Sequence, residues 1–222
     1  MALRFPRARN ARSPDLLAAI LLAAVTAAVP LSAWAQDAGA APAKQQKKLP
    51  EAPGKLPKVG ADRTRGLDFL FGALKVAPDE ASAKHVEARI WALWMQTPSD
   101  TAALLMMRAK AAMDAQKMDV ALKLLDAVVK LRPDYVEAWN RRATVYYLQN
   151  DYTRSLEDIE QVLVREPRHF GALAGLGMIM QDLGDDKRAL DAFRKALAVN
   201  PYLENVPELV KTLTEKVEGR DI

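Results

Sequence analysis

Between residues 136 and 165 the large apolar side chains Trp139, Tyr146, Ile159 and Val162 recur among polar positions with a helical period. The pattern predicts two helices, about 136–149 and 152–165. Asn150 and Asp151 turn the chain between them, and Glu166-Pro167 ends the pair. Ala143 in the first helix and Ser155 in the second are small enough to let the two backbones approach closely. A bulkier pair there would force them apart. One such pair cannot bury both of its faces, so the pattern calls for neighbours of the same kind.

Those neighbours lie 34 residues away on either side. Pro133, Pro167 and Pro201 are in register, as are Leu105, Trp139 and Leu173. The same shift aligns Ala109, Ala143 and Gly177, then Ala121, Ser155 and Ala189. It also aligns Leu125, Ile159 and Phe193, and Val128, Val162 and Ala196. Three units follow, at about 102–135, 136–169 and 170–203, within a repeat region of about 100–201. Upstream, residues 67–76 and 79–95 form a further helical pair with Pro78 in the connection. Pro98 lies 35 rather than 34 residues before Pro133, so residues 63–99 are expected to be a degenerate first unit whose core Trp91 and Trp94 fill. Downstream, Val206, Leu209, Val210, Leu213 and Val217 make one stripe, while Lys211, Glu215 and Glu218 lie elsewhere. Residues 204–222 therefore read as a capping helix, with one face for the last unit and one for water.

The order Trp139, Ala143, Tyr146, Ser155, Ile159, Pro167 resembles the tetratricopeptide repeat, whose pattern asks for a large residue, a small one, an aromatic, later small and large residues, and a final proline. The resemblance implies an all-α, right-handed superhelix of helix-turn-helix units, about nine helices in all. It assigns to the repeat core Leu105, Ala109, Ala121, Trp139, Ala143, Tyr146, Ser155, Ile159, Leu173, Gly177, Ala189 and Phe193. In that family the first helix of each unit lines the concave surface. The implied groove is Met106, Lys110 and Met113, then Glu137, Asn140, Arg141, Thr144 and Tyr147, then Ala174, Met178 and Gln181. Adaptable methionines beside an aromatic ring and amides suit a peptide or a partner helix, so the implied partner is another protein.

Two departures from the family pattern matter. The column usually filled by leucine holds Arg108 and Arg142 before returning to Leu176. A charge there must be paired or must reach past the core, and Asp158 or Glu137 are the expected partners of Arg142. Some relatives clamp a partner's terminal carboxylates with lysine, asparagine and arginine. Here the corresponding surface offers Met106, Asn140, Arg141, Gly171 and Gly175, only fragments of that clamp, so recognition of a chaperone tail is not expected.

The first 35 residues differ from the rest. Arg4, Arg7, Arg9 and Arg12 precede an apolar run at 16–31, and Ala33-Trp34-Ala35 precedes Gln36. This is the layout of a secretory signal peptide cleaved between Ala35 and Gln36, giving an exported chain, periplasmic in a bacterium. An uncleaved anchor and a mitochondrial transit peptide are the competing readings. The run is short for a span of about 20 residues and is broken by Thr26 and Pro30. Residues 36–62 are rich in Ala, Pro and Lys, contain no aromatic residue, and are expected to be a disordered spacer. No membrane span is expected after cleavage.

The net charge of +4 belongs largely to the arginine-rich leader. The remainder is nearly balanced and gives no reason to expect nucleic acid. There is no cysteine, so disulfides, thiolate metal sites and a lipid-modified cysteine anchor are excluded. His85 and His169 stand apart with no metal-ligand spacing. His169, at the start of a repeat helix, is expected to cap it. The cluster Glu157, Asp158 and Glu160 reads as a solvated face. No metal, cofactor or catalytic residue is expected, and the chain reads as a binding protein rather than an enzyme. The leading reading is an exported adaptor. A permanent structural subunit of an envelope assembly and a glycan or small-molecule binder are the alternatives.

Overall fold

The computed structural model describes residues 59–219, with side chains from residue 63 onward. The expected leader and most of the expected spacer lie outside the described residues. Nine helices are described: α1 (Val59–Lys75), α2 (Glu80–Trp94), α3 (Asp100–Asp114), α4 (Met118–Leu131), α5 (Val136–Leu148), α6 (Tyr152–Arg165), α7 (Phe170–Asp182), α8 (Asp186–Val199) and α9 (Val206–Val217). No strand occurs among these residues. α1 begins at Val59, inside the end of the expected spacer.

The 34-residue period is physical as well as textual. The second helices α4, α6 and α8 end at Leu131, Arg165 and Val199. The next residues, Arg132, Glu166 and Asn200, are extended, with φ of −137°, −138° and −127°. Each precedes a proline, whose ring clashes with a helical conformation in the residue before it. Within each pair the chain reverses through a left-handed residue: Gln116 at φ 57°, Asn150 at 60° and Gly184 at 81°. Glycine adopts that conformation freely, whereas Gln116 does so at a cost of about 1 kcal/mol. Asp151 and Asp185 then accept from the backbone N–H of Arg154 and Arg188 and open the next helix.

Small residues let the paired helices close. Ser155 Oγ donates to Ala143 O at 2.8 Å, which joins α5 to α6. In the next pair a Cβ on Gly177 would lie 2.6 Å from Phe193 Cδ1, so the Phe193 ring occupies the space that only glycine leaves. Trp139 is half-buried between two apolar clusters, one around α3, α4 and α5 and one joining α1 and α2 to α5–α9. Its Nε1 donates to Pro133 O at 2.9 Å, and the guanidinium carbons of Arg142 and Arg165 lie 5.0 and 5.3 Å from its ring centroid. α9 closes the stack by burying Val206 and Leu213 while Lys211, Glu215 and Glu218 face water.

The ion pairing of Arg142 resolves in favour of Asp158. Its Nε and Nη2 reach the two carboxylate oxygens of Asp158, each at 2.8 Å, and Nη1 reaches Asp126 at 2.8 Å. Asp158 is thus a buried partner, which corrects the expectation of a solvated face for that residue, while Glu157 and Glu160 are exposed. Burial pushes its carboxyl above the ordinary carboxylate range even though Arg142 pulls it down. Arg142, held chiefly by its bonds to Asp158, stays protonated.

The pair α1–α2 is placed differently from the expectation of a first unit stacked ahead of α3. It lies instead on the concave side of the later repeats. Trp91 and Trp94 pack on His169 and Phe170 at the start of α7. Arg168 Nη1 reaches Asp68 at 2.6 Å, and its guanidinium sits over the Phe71 ring at 4.3 Å. Glu87 takes bonds from Trp91 Nε1 and Asn200 Nδ2, and Tyr202 donates its hydroxyl to Ala77 O at 2.8 Å. The physical reason is Gly171. A Cβ there would lie 3.0 Å from Trp91, so the glycine makes the seat in which the indole rests.

A concave cleft closed at one end

The hairpin α1–α2 divides the concave surface. Trp91 and Trp94 cover the start of α7, and Met95 lies against Tyr135 and Arg141 at the start of α5. Between α5 and α7 runs a narrow cleft. It is lined by Asn140, Thr144 and Tyr147 from α5, by Gly171, Gly175 and Met178 from α7, and by Ser155 and Ile159 at its floor. The two glycines make room: a Cβ on Gly175 would come no closer than 3.6 Å to Ile159.

Under the hairpin lies a buried polar cluster. His169 and Glu137 are both almost wholly enclosed. His169 Nδ1 accepts from the Ala172 N–H at 3.1 Å, so the ring caps α7. In the neutral tautomer this requires, the proton sits on Nε2, which faces Glu137 Oε2 at 3.4 Å. Glu137 also accepts from Asn140 Nδ2 at 3.2 Å and pairs with Arg141 Nε at 3.3 Å. Arg141 Nη2 reaches Met95 Sδ at 3.3 Å, and Tyr135 donates its hydroxyl to Met95 O at 2.7 Å. Burial, the largest influence, pushes the Tyr135 phenol up to about 12. The cluster therefore ties α5, α7 and the end of α2 together.

The groove residues read from the sequence separate by burial. Met106 is a core residue of the α3–α4–α5 cluster, which corrects its assignment to the groove: it points inward because that column faces the next repeat. Glu137 and Asn140 are also buried, Glu137 beneath the hairpin and Asn140 at the inner end of the cleft. Ala174 is fully buried. Arg141 is half-buried against Met95. Thr144, Tyr147, Met178 and Gln181 are half-buried around the open cleft, and Lys110 and Met113 are half-buried on α3. Lys110 pairs with Asp114 at 2.6 Å. Tyr147 donates its hydroxyl to Asp182 at 2.9 Å, which spans α5 and α7.

Of the core residues, Ala109, Ala121, Ala143, Tyr146, Ser155, Ile159, Leu173, Gly177, Ala189 and Phe193 are buried, while Leu105 and Trp139 are half-buried. The fragments of a carboxylate clamp do not converge. Asn140 is bonded to Glu137, and Gly171 lies under Trp91. Among the described residues no group of three or more His, Asp or Glu is arranged to hold a metal ion. His85 is exposed on α2.

Trp91, Trp94, Gly171 and Glu87 shape the site and were not among the expected site residues. The available signal was the 34-residue column itself, in which glycine at 171 stands where Glu137 stands one unit earlier.

Residues 106–159 and 149–204 each match the family model described as tetratricopeptide repeat. A TPR repeat-containing protein of Rhizobium etli is 40% identical over 153 residues, which cover 69% of this chain and 75% of that protein. The chain belongs to the tetratricopeptide-repeat family. The photosystem I assembly protein Ycf3 of Synechococcus is 33% identical over 100 residues, covering 40% of this chain and 55% of Ycf3. Two solved structures show the same fold. The first TPR domain of Spaghetti (RPAP3), bound to an HSP90 peptide, has a TM-score of 0.52 at 14% identity and covers 55% of this chain and 97% of its own. MamA has a TM-score of 0.51 at 18% identity and covers 75% of this chain and 88% of its own. At such identities the likeness is one of repeat architecture alone.

Proposed function

We propose that this repeat protein is a non-enzymatic adaptor, exported to the periplasm, that holds a segment of another protein in the open half of its concave groove. The observation that carries this reading is the cleft between α5 and α7, in which Thr144, Tyr147, Gly175 and Met178 surround an open apolar floor. Its apolar lining with a few polar groups at the rim suits an extended peptide or a narrow helix. Closure of one end by Trp91 limits the held segment to a short one. The arginine-rich, Ala33-Trp34-Ala35-terminated leader supports export. No helix among the described residues is long and apolar enough to cross a membrane.

The test places a photoreactive amino acid at Tyr147 of the full chain in living bacteria, followed by fractionation, N-terminal sequencing and mass spectrometry. The expected result is a periplasmic chain beginning at Gln36 with a discrete protein adduct. A chain that stays inside with its leader refutes export, and an exported, folded chain without an adduct refutes the groove as the holding surface.

A further inference from the structure

The first repeat exposes a face that the next two bury. Along one column in steps of 34, Leu104 is 44% exposed, whereas Ala138 and Ala172 are 0% and 1% exposed. Ala111 is exposed where Val145 and Ile179 are buried, and Thr101 is exposed where Tyr135 and His169 are buried. On the second helix, Leu124 is half-buried where Asp158 and Ala192 are buried. In α5 and α7 the first-helix columns are covered by the second helix of the preceding repeat, α4 and α6 respectively. Among the described residues α3 has no such cover, because α1–α2 has been drawn to the concave side by Gly171 and Phe170.

The uncovered face carries two apolar patches, Leu104 with Ala111 on α3 and Leu124 on α4. Between them stands Arg108. Its counterpart Arg142 is satisfied by Asp158 of its own repeat and by Asp126 of the preceding helix. In the first repeat the Asp158 position is Leu124, and the helix that would supply the Asp126 equivalent is absent from the stack. A second copy meeting through the same face would bring two Arg108 side chains together, with no acid among Leu104, Ala111 and Leu124 to pair them. The face instead matches a helix that brings its own carboxylate.

We propose that the N-terminal face of α3–α4 docks an amphipathic helix of a partner protein, seated as α4 is seated on α5, with aliphatic side chains against Leu104, Ala111 and Leu124 and a carboxylate bonded to Arg108. This surface is separate from the cleft and extends the repeat stack by one helix supplied from outside. It gives the adaptor two contact surfaces, and either can fail without the other.

The probe is a labelled synthetic peptide of residues 118–131, the helix that covers the equivalent columns of α5 and carries Asp126. Fluorescence anisotropy follows its binding to the full chain. Saturable binding is expected, weakened at least about tenfold by Arg108→Glu or Leu104→Glu in the chain and similarly by Asp126→Lys in the peptide. Arg108→Glu paired with the Asp126→Lys peptide should recover binding. Both substituted chain positions are exposed, so circular dichroism should be unchanged. No saturable binding, or binding indifferent to Arg108→Glu, overturns the proposal. So does a dimer in sedimentation that Leu104→Glu dissociates, which would give the face to a second copy.

Discussion

Trp94 stacks on His169 with ring centroids 4.0 Å apart and planes 15° from parallel, although 75 positions of sequence separate them. The contact joins the end of α2 to the cap of α7 and seals the Glu137–His169 pair from water. Trp94 is one of the largest fully buried side chains. Trp94→Ala should therefore cost about 3–5 kcal/mol in urea unfolding. A loss under about 1 kcal/mol would mean that the hairpin is not anchored on the concave side.

The helix pair α7–α8 closes around a glycine. Gly177→Ala places a methyl group inside the Phe193 ring contact, and the displaced packing should cost about 1–3 kcal/mol, more than the helix propensity of about 1 kcal/mol that alanine adds. Gly177→Leu should cost more. Phe193→Leu in the Gly177→Ala chain should recover part of the loss. Equal melting of Gly177→Ala and parent would contradict the close approach.

Arg142 and Asp158 form the buried charge pair of the stack. Arg142→Met strands the carboxylate and should cost about 3–5 kcal/mol at neutral pH. The double variant with Asp158→Leu should recover most of it. Burial already raises the Asp158 carboxyl, and loss of the arginine removes what lowers it. A folded-state value raised above the unfolded one favours folding at low pH, and this benefit is lost as pH rises through the folded value. Chemical denaturation of Arg142→Met should accordingly show stability falling, relative to the parent, as pH rises above the ordinary carboxylate range. A flat difference between the two proteins would argue that Asp158 is solvated.

The repeat stack was legible in the sequence because its causes are local and periodic. Pro133, Pro167 and Pro201 stop helices through their own rings, and Ala143, Ser155 and Gly177 set distances between adjacent helices. The placement of α1–α2 was not legible for the opposite reason. Trp91 and Trp94 advertise a buried contact, but their partners, His169, Phe170 and Gly171, lie more than 70 residues on. Nothing in a helical period says which surface an aromatic pair will choose. The groove was read by column and so included Met106, Glu137 and Asn140. Column position gives the direction of a side chain, whereas its exposure depends on what else packs there.

The central claim is that the open half of the concave surface holds the partner. It is tested most directly by a photoreactive amino acid at Met178 in living cells, in the full chain with and without Gly175→Leu. A Cβ at position 175 has only ordinary contacts, so the leucine should fill the cleft while thermal melting stays within a few degrees of the parent. The account predicts one discrete protein adduct from Met178 that Gly175→Leu abolishes. An adduct of unchanged yield in the filled cleft would contradict it.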